Sequence, residues 1–203
     1  MKTFSNQYIF IYSAVLVTAA ALILTVVSVS LKPLQERNQQ AEQKQMILKT
    51  IGVEVTRNNA AELYDKYISE ITFVSEDGTK FPYYTFDDGI VLPLHGTGLW
   101  GPIWGYLALD CSGNVVGAVF DHKGETPGLG GEIATEKFAQ RFIGKMMDEH
   151  PIYLTKNADK DNPYQVDAIS GGTMTSNGVT DMLEKAWLNY HELTFEEREE
   201  ATE

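Results

Sequence analysis

The sequence predicts an α+β protein in which a single N-terminal transmembrane helix is followed by an antiparallel sheet with flanking helices. Three observations lead to this fold class. An uncharged apolar run covers residues 8–31, strand-like segments separated by short turns fill residues 71–121, and helical apolar patterns lie on both sides of those strands. A chain of 203 residues is long enough for one membrane segment and one domain of ordinary size.

The apolar run at residues 8–31 predicts a membrane anchor. As a helix it is long enough to cross the roughly 30 Å hydrocarbon core of a bilayer. A cleaved signal peptide is the alternative, since Ser28 and Ser30 form a small-x-small pair. However, the run is too long for the apolar part of a signal peptide, and only Lys2 precedes it as a basic residue. We therefore expect a short tail at residues 1–7 and a retained transmembrane helix at residues 8–31.

Residues 32–52 have the pattern of a helical stalk. The segment is polar at first, gains apolar residues near its end and stops at Gly52. More lysines and arginines follow the anchor than precede it, which taken alone places the C-terminal side in the cytoplasm. A large domain can be translocated despite such flanking charge, so this count is weak evidence. The remaining boundaries that we predict are a folded domain at residues 53–194 and an acidic tail at residues 195–203.

The folded domain begins with a short helix and continues into strands with tight turns. Helical spacing predicts the helix at residues 60–68. The predicted strands are residues 71–74, 80–86, 90–92, 103–109 and 115–121, with turn signals at residues 76–78, 87–89 and 112–114. Two more helices are predicted at residues 135–149 and 176–190, each with one apolar face.

Charge and composition exclude several classes of partner and site. The formal net charge is −12, of which the first 49 residues contribute +3, so the rest carries −15 and repels nucleic acids and anionic membrane surfaces alike. A single cysteine, Cys111, cannot form an internal disulfide. The four histidines show no ligand spacing to one another or to that cysteine, so we expect no metal site.

A segment rich in glycine and hydroxyl residues, residues 167–178, leads directly into the last predicted helix. Gly171 and Gly172 allow a phosphate to approach the backbone closely, and the helix start beyond them favours an anion. Thr173 is predicted to lie about three residues before the N-cap of that helix. The segment therefore indicates a phosphate site, with an ordinary Ser/Thr-rich helix cap as the alternative.

Two more glycine-rich segments stand out. Residues 125–131 form a tight loop that can press its backbone against a flat ligand, or else a simple connection from a strand to a helix. Residues 95–102 contain Gly-x-Gly, but without the helix-opening context of a dinucleotide site. Trp100 in this segment is suited to stacking on a ring or to a place in the core. No nucleophile elbow or phosphate-binding P-loop supports a hydrolase or a kinase.

Together these segments resemble the FMN-binding domain family, and within it the C subunits of Na+-translocating NADH:quinone reductases. The family pattern, an Asp followed by Ser/Thr-Gly-Ala-Thr, corresponds to Asp167 and to Ser170-Gly171-Gly172-Thr173. A second signature corresponds to Glu125-Thr126-Pro127-Gly128-Leu129-Gly130. Residues 32–35 and 95–100 resemble these C subunits more than the related G subunit of the Rnf electron-transport complex. The one departure is Gly172, where the family usually has Ala.

The resemblance implies which residues hold the cofactor. It implies that residues 53–194 are an FMN-binding domain in which a flavin transferase esterifies the FMN phosphate to Thr173. The other cofactor-binding residues that it implies are Asp167, Ser170, Gly171, Gly172, Met174, Thr175, Glu125, Thr126, Leu129 and Gly130. Asp167 would serve recognition by the transferase or activation of the hydroxyl, unless it is an ordinary turn-capping residue. Leu129 would contact the ring, and its N–H group and that of Gly130 would polarise the ring.

The resemblance also implies a function. The chain would be an electron-carrier subunit of a bacterial inner-membrane complex that couples NADH:quinone oxidoreduction to Na+ translocation, not catalytic alone and associated with the other membrane subunits. Its flavin domain would be extracytoplasmic, which overrules the charge count. An Rnf-type subunit and a flavin-free membrane-anchored scaffold are the alternatives. A single span without a charged residue argues against an ion path within this chain alone.

Overall fold

The computed structural model describes residues 5–74, 80–87 and 89–191. The chain divides into two compact units, residues 1–42 and 43–203, which are described separately below. The predicted turn at residues 76–78, one residue of the turn at 87–89 and the predicted acidic tail at 195–203 lie outside the described residues.

The N-terminal element is one long helix. Helix α1 (Asn6–Thr50) runs without interruption and includes Pro33, so the residues predicted as anchor and stalk are continuous. In the described part of the chain it is the one helix that is long and apolar enough to cross a membrane. Among the described residues, none of its most apolar window is buried, as expected for a helix that faces lipid. The last turns of α1 belong to the second unit, where Met46, Ile47 and Leu48 are buried.

An antiparallel meander of five strands forms the centre of the second unit. A short helix, α2 (Ala60–Tyr67), precedes it. The strands are β1 (Ser69–Val74), β2 (Lys80–Phe86), β3 (Gly89–Thr97), β4 (Pro102–Asp110) and β5 (Val115–His122). They pair in sequence order, as the closely spaced turn signals predicted. The α+β fold class is therefore confirmed, although β3 is longer than predicted and ends at Thr97.

Each face of the sheet is covered by a separate apolar core. Alternate residues of β3 point to opposite faces, so Ile90 and Leu92 belong to one core and Val91 belongs to the other. The core that contains Val91 also buries the end of α1. The core that contains Leu92 is completed by residues from β4, β5 and the C-terminal third of the chain: Ile103, Leu107, Phe120, Phe138, Phe142, Ile152, Val179, Met182 and Leu183.

The prediction of a helix at residues 135–149 was wrong. The segment holds a 3₁₀ turn (Gly130–Ala134), a four-residue helix α3 (Glu136–Ala139) and a second 3₁₀ turn (Gln140–Phe142), and then continues without helix. Gly144 has φ +76, which a right-handed helix does not allow. Its N–H group donates to Val115 O at 2.9 Å, and Met147 N–H donates to Gly113 O at 2.9 Å. Pairing with the turn between β4 and β5 thus replaces the helical bonds.

The last helix, α4 (Thr173–His191), begins three residues earlier than predicted. Its predicted apolar face is confirmed, since Val179, Met182 and Leu183 are buried against the sheet. A two-stranded parallel pair, β6 (Tyr153–Thr155) and β7 (Gln165–Asp167), precedes it. Because Gly178 has no side chain, α4 can approach the end of β3 directly: a Cβ at that position would collide with Thr97 O.

Candidate functional site

The three glycine-rich segments meet at one cleft beside the start of α4. The cleft has a volume of about 170 Å³. It is lined by Leu99, Trp100, Glu125, Thr126, Leu129, Gly130, Gly171, Gly172, Thr173, Met174 and Thr175. The segments are far apart in sequence, so their convergence is a property of the fold: β3 and β4 flank the first, β5 precedes the second, and β7 precedes the third.

Nine of the predicted site residues line this cleft, and Asp167 and Ser170 do not. Asp167 ends β7, where its Oδ1 accepts a hydrogen bond of 2.9 Å from Ala158 N. This contact is the turn-capping role considered above, and the proposed part of Asp167 in attachment stays a prediction. Sequence reasoning did not place Leu99 and Trp100 among the site residues, although Trp100 was considered for stacking. The signal that could have found Leu99 was its position in a glycine-rich segment between two strands.

Thr173 differs from the neighbouring hydroxyl residues of its own segment, Ser170, Thr175 and Ser176. It is the first residue of α4, it is exposed, and it lines the cleft. Thr175 and Ser176 are buried, with their hydroxyls engaged: Thr175 Oγ1 donates to Glu125 Oε2 at 2.5 Å, and Ser176 Oγ accepts from Ile169 N at 3.1 Å. Ser170 is exposed but lies outside the cleft lining. Of these four hydroxyls, that of Thr173 alone is both accessible and on the cleft.

The backbone at the start of α4 presents hydrogen-bond donors to the cleft. Ser176 N donates to Gly172 O at 2.8 Å, which is the first bond of helical spacing. The N–H groups of Thr173, Met174 and Thr175 precede that bond and have no acceptor within the helix. The positive end of the helix dipole adds to their effect. This arrangement is suited to an anion next to the exposed Thr173 hydroxyl.

Glu125 is a buried carboxylate on the inner side of the cleft, with only 4% of its surface exposed. Oε1 accepts a hydrogen bond of 2.8 Å from Trp100 N, and Oε2 accepts the hydroxyl of Thr175. The backbone of Leu99 also donates to the carboxylate. Burial raises the pKa of Glu125, but these hydrogen bonds outweigh it and hold the pKa below its usual value. The side chain is therefore ionised at neutral pH and joins all three segments.

Glycines allow the backbone to close around this carboxylate. A Cβ at Gly98 would lie 2.5 Å from Glu125 Oε1, and a Cβ at Gly130 would collide with Glu125 Oε2. In the third segment, Gly171 has φ +75, and a Cβ there would lie 2.7 Å from Leu129 Cδ2. These positions need glycine because side chains would push the segments apart.

Exposed apolar side chains surround the cleft. Leu99, Trp100, Leu129 and Met174 are between 43% and 69% exposed. All four line the same cleft, and apolar side chains grouped around a cleft with a few polar groups are the usual lining of a ligand site. The N–H group of Leu129, predicted to polarise a ligand, instead donates to Thr126 O at 3.1 Å, which closes the loop on itself. The turn therefore already uses the amide of Leu129, and the predicted polarisation of a ring by Leu129 and Gly130 stays a prediction.

Comparison with known proteins agrees with this geometry. The FMN-binding domain family matches residues 98–187, which include all three segments of the cleft. The crystal structure of the C subunit of Na(+)-translocating NADH-quinone reductase from Parabacteroides distasonis superposes with a TM-score of 0.72 and 33% identity, covering 79% of this chain and 94% of that one. NqrC of Shewanella oneidensis, at 19% identity and a TM-score of 0.63, shares the fold.

Curated relatives are C subunits of the same reductase. That of Haemophilus ducreyi is 28% identical over 215 residues, which cover 82% of this chain and 83% of the relative. That of Neisseria meningitidis serogroup A is 41% identical over 95 residues, which cover 44% of this chain and 37% of the relative. The chain thus spans less than half the length of some curated relatives that it matches. From the fold, the matched domain and the P. distasonis structure, the chain belongs to the family of C subunits of Na(+)-translocating NADH-quinone reductases.

Proposed function

We propose that this chain is an electron-carrier subunit of a Na+-translocating NADH:quinone reductase and carries FMN as a phosphoester on Thr173. The observation that carries the proposal is the position of the Thr173 hydroxyl. It is exposed at the start of α4, on a cleft that the FMN-binding family match includes. When bound, FMN supplies the electron-transfer chemistry, and the protein supplies tethering and defined surroundings.

The start of α4 fits the phosphate end of FMN. The backbone N–H groups of Thr173, Met174 and Thr175 supply donors, and the helix dipole favours a negative charge. Gly172, directly before the helix, packs closely on the preceding turn, where a Cβ would lie 3.0 Å from Ile169 Cγ2. The residues present therefore fit a phosphate that is joined to the neighbouring hydroxyl of Thr173.

The apolar rim fits the flat end of the cofactor. Leu99, Trp100, Leu129 and Met174 offer apolar and aromatic surface to a ring system. A cleft of about 170 Å³ is smaller than the roughly 300–1,000 Å³ that ligand pockets usually occupy. The ring would thus stay partly exposed against the rim, which suits exchange of electrons with a partner. Thr126 contributes an exposed polar side chain at the same edge.

The proposal extends to the membrane and to partners. The apolar part of α1 would anchor the chain in the bacterial inner membrane, next to the other membrane subunits of the reductase. The domain would lie on the extracytoplasmic side, and a flavin transferase would attach the cofactor there. Support for the anchor comes from the uncharged run at residues 8–31, none of whose most apolar window is buried against the described residues.

Attachment is tested by co-expressing the full chain with a flavin transferase and mapping the modified peptide by mass spectrometry. We expect an FMN adduct on Thr173, and no adduct in Thr173→Val, which should fold normally because the side chain is exposed. Thr126→Val is the matched control, because it removes another exposed hydroxyl that lines the same cleft, and it should keep the adduct on Thr173. An unmodified Thr173, or an adduct elsewhere, would refute the proposal, and a colourless chain would favour a flavin-free scaffold.

Sidedness is tested separately. Protease added to cells with a permeabilised outer envelope should digest the domain and leave the anchor protected. Digestion only in inverted vesicles would show that the flanking charges, not the family resemblance, predict the orientation.

A further inference from the structure

We propose that Glu125 is a positioning residue whose fixed negative charge lowers the midpoint potential of the group bound in the cleft. The inference rests on the proposed function, because it concerns the redox group attached next to Thr173. It assigns to Glu125 a role that does not require direct contact with the cofactor. Its oxygens face protein donors on separate segments, and its influence on the cleft is electrostatic.

The geometry explains why Glu125 acts through position and charge. Oε1 accepts from Trp100 N at 2.8 Å, and Oε2 accepts the Thr175 hydroxyl at 2.5 Å. Gly98 and Gly130 close over the two oxygens so tightly that a Cβ on either would collide with the carboxylate. Little of the carboxylate is therefore free to bond a ligand, yet it stands directly behind the surface that the ligand would touch.

Within the described part of the chain, Glu125 forms no ion pair with a lysine or an arginine. Its bonded partners are a hydroxyl and backbone N–H groups, which are neutral. His122 is the charged group that acts on this carboxylate: its Nδ1 accepts from Glu125 N at 3.2 Å, and its charge adds to the hydrogen bonds that lower the pKa of Glu125. The low pKa of Glu125 agrees with a carboxylate that stays ionised in this setting.

A fixed negative charge opposes the arrival of electrons. When bound, FMN would accept two electrons from a chemical reductant such as dithionite, which is oxidised, together with one proton from solvent. When one proton is taken up, the site gains one negative charge. Because Glu125 is buried, its repulsion of that charge is only weakly screened by water and salt. Glu125 therefore destabilises the reduced form and partly cancels the stabilisation from the start of α4.

The test is a spectroscopic redox titration of the flavin-loaded full chain and of its Glu125→Gln variant. Gln keeps the size and one acceptor oxygen but removes the charge. We expect the ratio of reduced to oxidised flavin at a fixed potential to rise at least about tenfold, which is 29.6 mV for a two-electron couple. A wild-type potential in a folded, fully loaded Glu125→Gln variant would overturn the proposal, since a purely structural role would not move it.

Thr175→Val supplies a second test that does not depend on folding of the first variant. It keeps the negative charge of Glu125 and removes a hydroxyl donor that partly offsets this charge. The midpoint potential should therefore fall below that of the wild type. An unchanged or raised potential in Thr175→Val would contradict the proposal. Absence of flavin from wild-type Thr173 is a different result: it would overturn the proposed function, and the role of Glu125 with it.

Discussion

The hydrogen bond between Thr175 and Glu125 joins the start of α4 to the loop that follows β5, and Thr175→Val removes it with little change of shape. Both side chains are buried, at 1% and 4% exposure. Valine places a methyl group where the hydroxyl donated at 2.5 Å. The carboxylate then loses the Thr175 hydroxyl as a donor and keeps the backbone donors of the segment that contains Trp100.

The magnitude follows from the charge of the acceptor. A hydrogen bond to a charged group contributes about 1.5–3 kcal/mol to the free energy of unfolding. Leaving a buried polar group without its partner lowers the free energy of unfolding by a similar amount. For a domain of this size, about 1 kcal/mol corresponds to a change of roughly 2–4 °C in Tm. We therefore expect Thr175→Val to lower the Tm by about 3–12 °C. Thr175→Ser keeps the hydroxyl and loses one methyl group, at a cost of about 1 kcal/mol.

Thermal unfolding of the full chain in detergent, followed by circular dichroism, checks this expectation. Because the pKa of Glu125 is lowered on folding, its stabilisation is present above the unfolded pKa and is lost as pH falls through the folded pKa. The variant has a less depressed pKa, so the Tm difference between wild type and Thr175→Val should shrink under acidic conditions. If Thr175→Val were as stable as Thr175→Ser at neutral pH, the assigned hydrogen bond would not have the strength that we infer.

Three further predictions concern the segment before α4. Gly172→Ala restores the usual family residue. It should lower the Tm by a few degrees, because the new Cβ would lie 3.0 Å from Ile169 Cγ2 and the neighbour must shift slightly. Attachment should be kept, and loss of the FMN adduct on mass mapping would contradict this. Asp167→Ala should fold but load FMN poorly. Asp167→Asn is its control, because the amide oxygen still accepts the hydrogen bond from Ala158 N while the charge is removed. Equal and full loading of both variants would exclude a role of Asp167 in attachment. Arg141→Met removes a 2.8 Å bond to Asp167 O and should cost about 1 kcal/mol by denaturant unfolding, and an unchanged midpoint would show that this bond does not stabilise the segment.

Local patterns sufficed for the sheet, whose strands and turns are encoded within short stretches of sequence. They failed at residues 135–149, where Phe138 and Phe142 are spaced as on a helix and do pack together with Phe120. Gly144 was the residue in the sequence that argued against a continuous helix, because a glycine can adopt the positive φ that ends a helix. The decisive cause is pairing with the turn between β4 and β5, and distant pairing of this kind leaves no periodic signal.

The candidate site was predicted as three separate segments, and their meeting required the fold. Thr173 and its glycines were found from their own sequence, since a phosphate site at a helix start is a local motif. The place of Leu99 and Trp100 on the rim depends on the bond between Trp100 N and Glu125, which no local pattern contains. The start of α4 was placed too late because Ser176 has the side chain of an N-cap. Its hydroxyl instead accepts from Ile169 N, in the turn before the helix.

The sequential pairing of β1 to β5 bears on the order in which the chain matures. Each strand of this meander pairs with its neighbour in sequence, so these contacts close short loops and are favoured early in folding. The cleft, in contrast, depends on the contact between Glu125 and Thr175 across 50 residues, and it is complete only when α4 has docked. A flavin transferase that needs the assembled cleft would therefore load finished chains and pass over incomplete ones. Under this reasoning, covalent flavin on the chain would mark molecules that have completed folding.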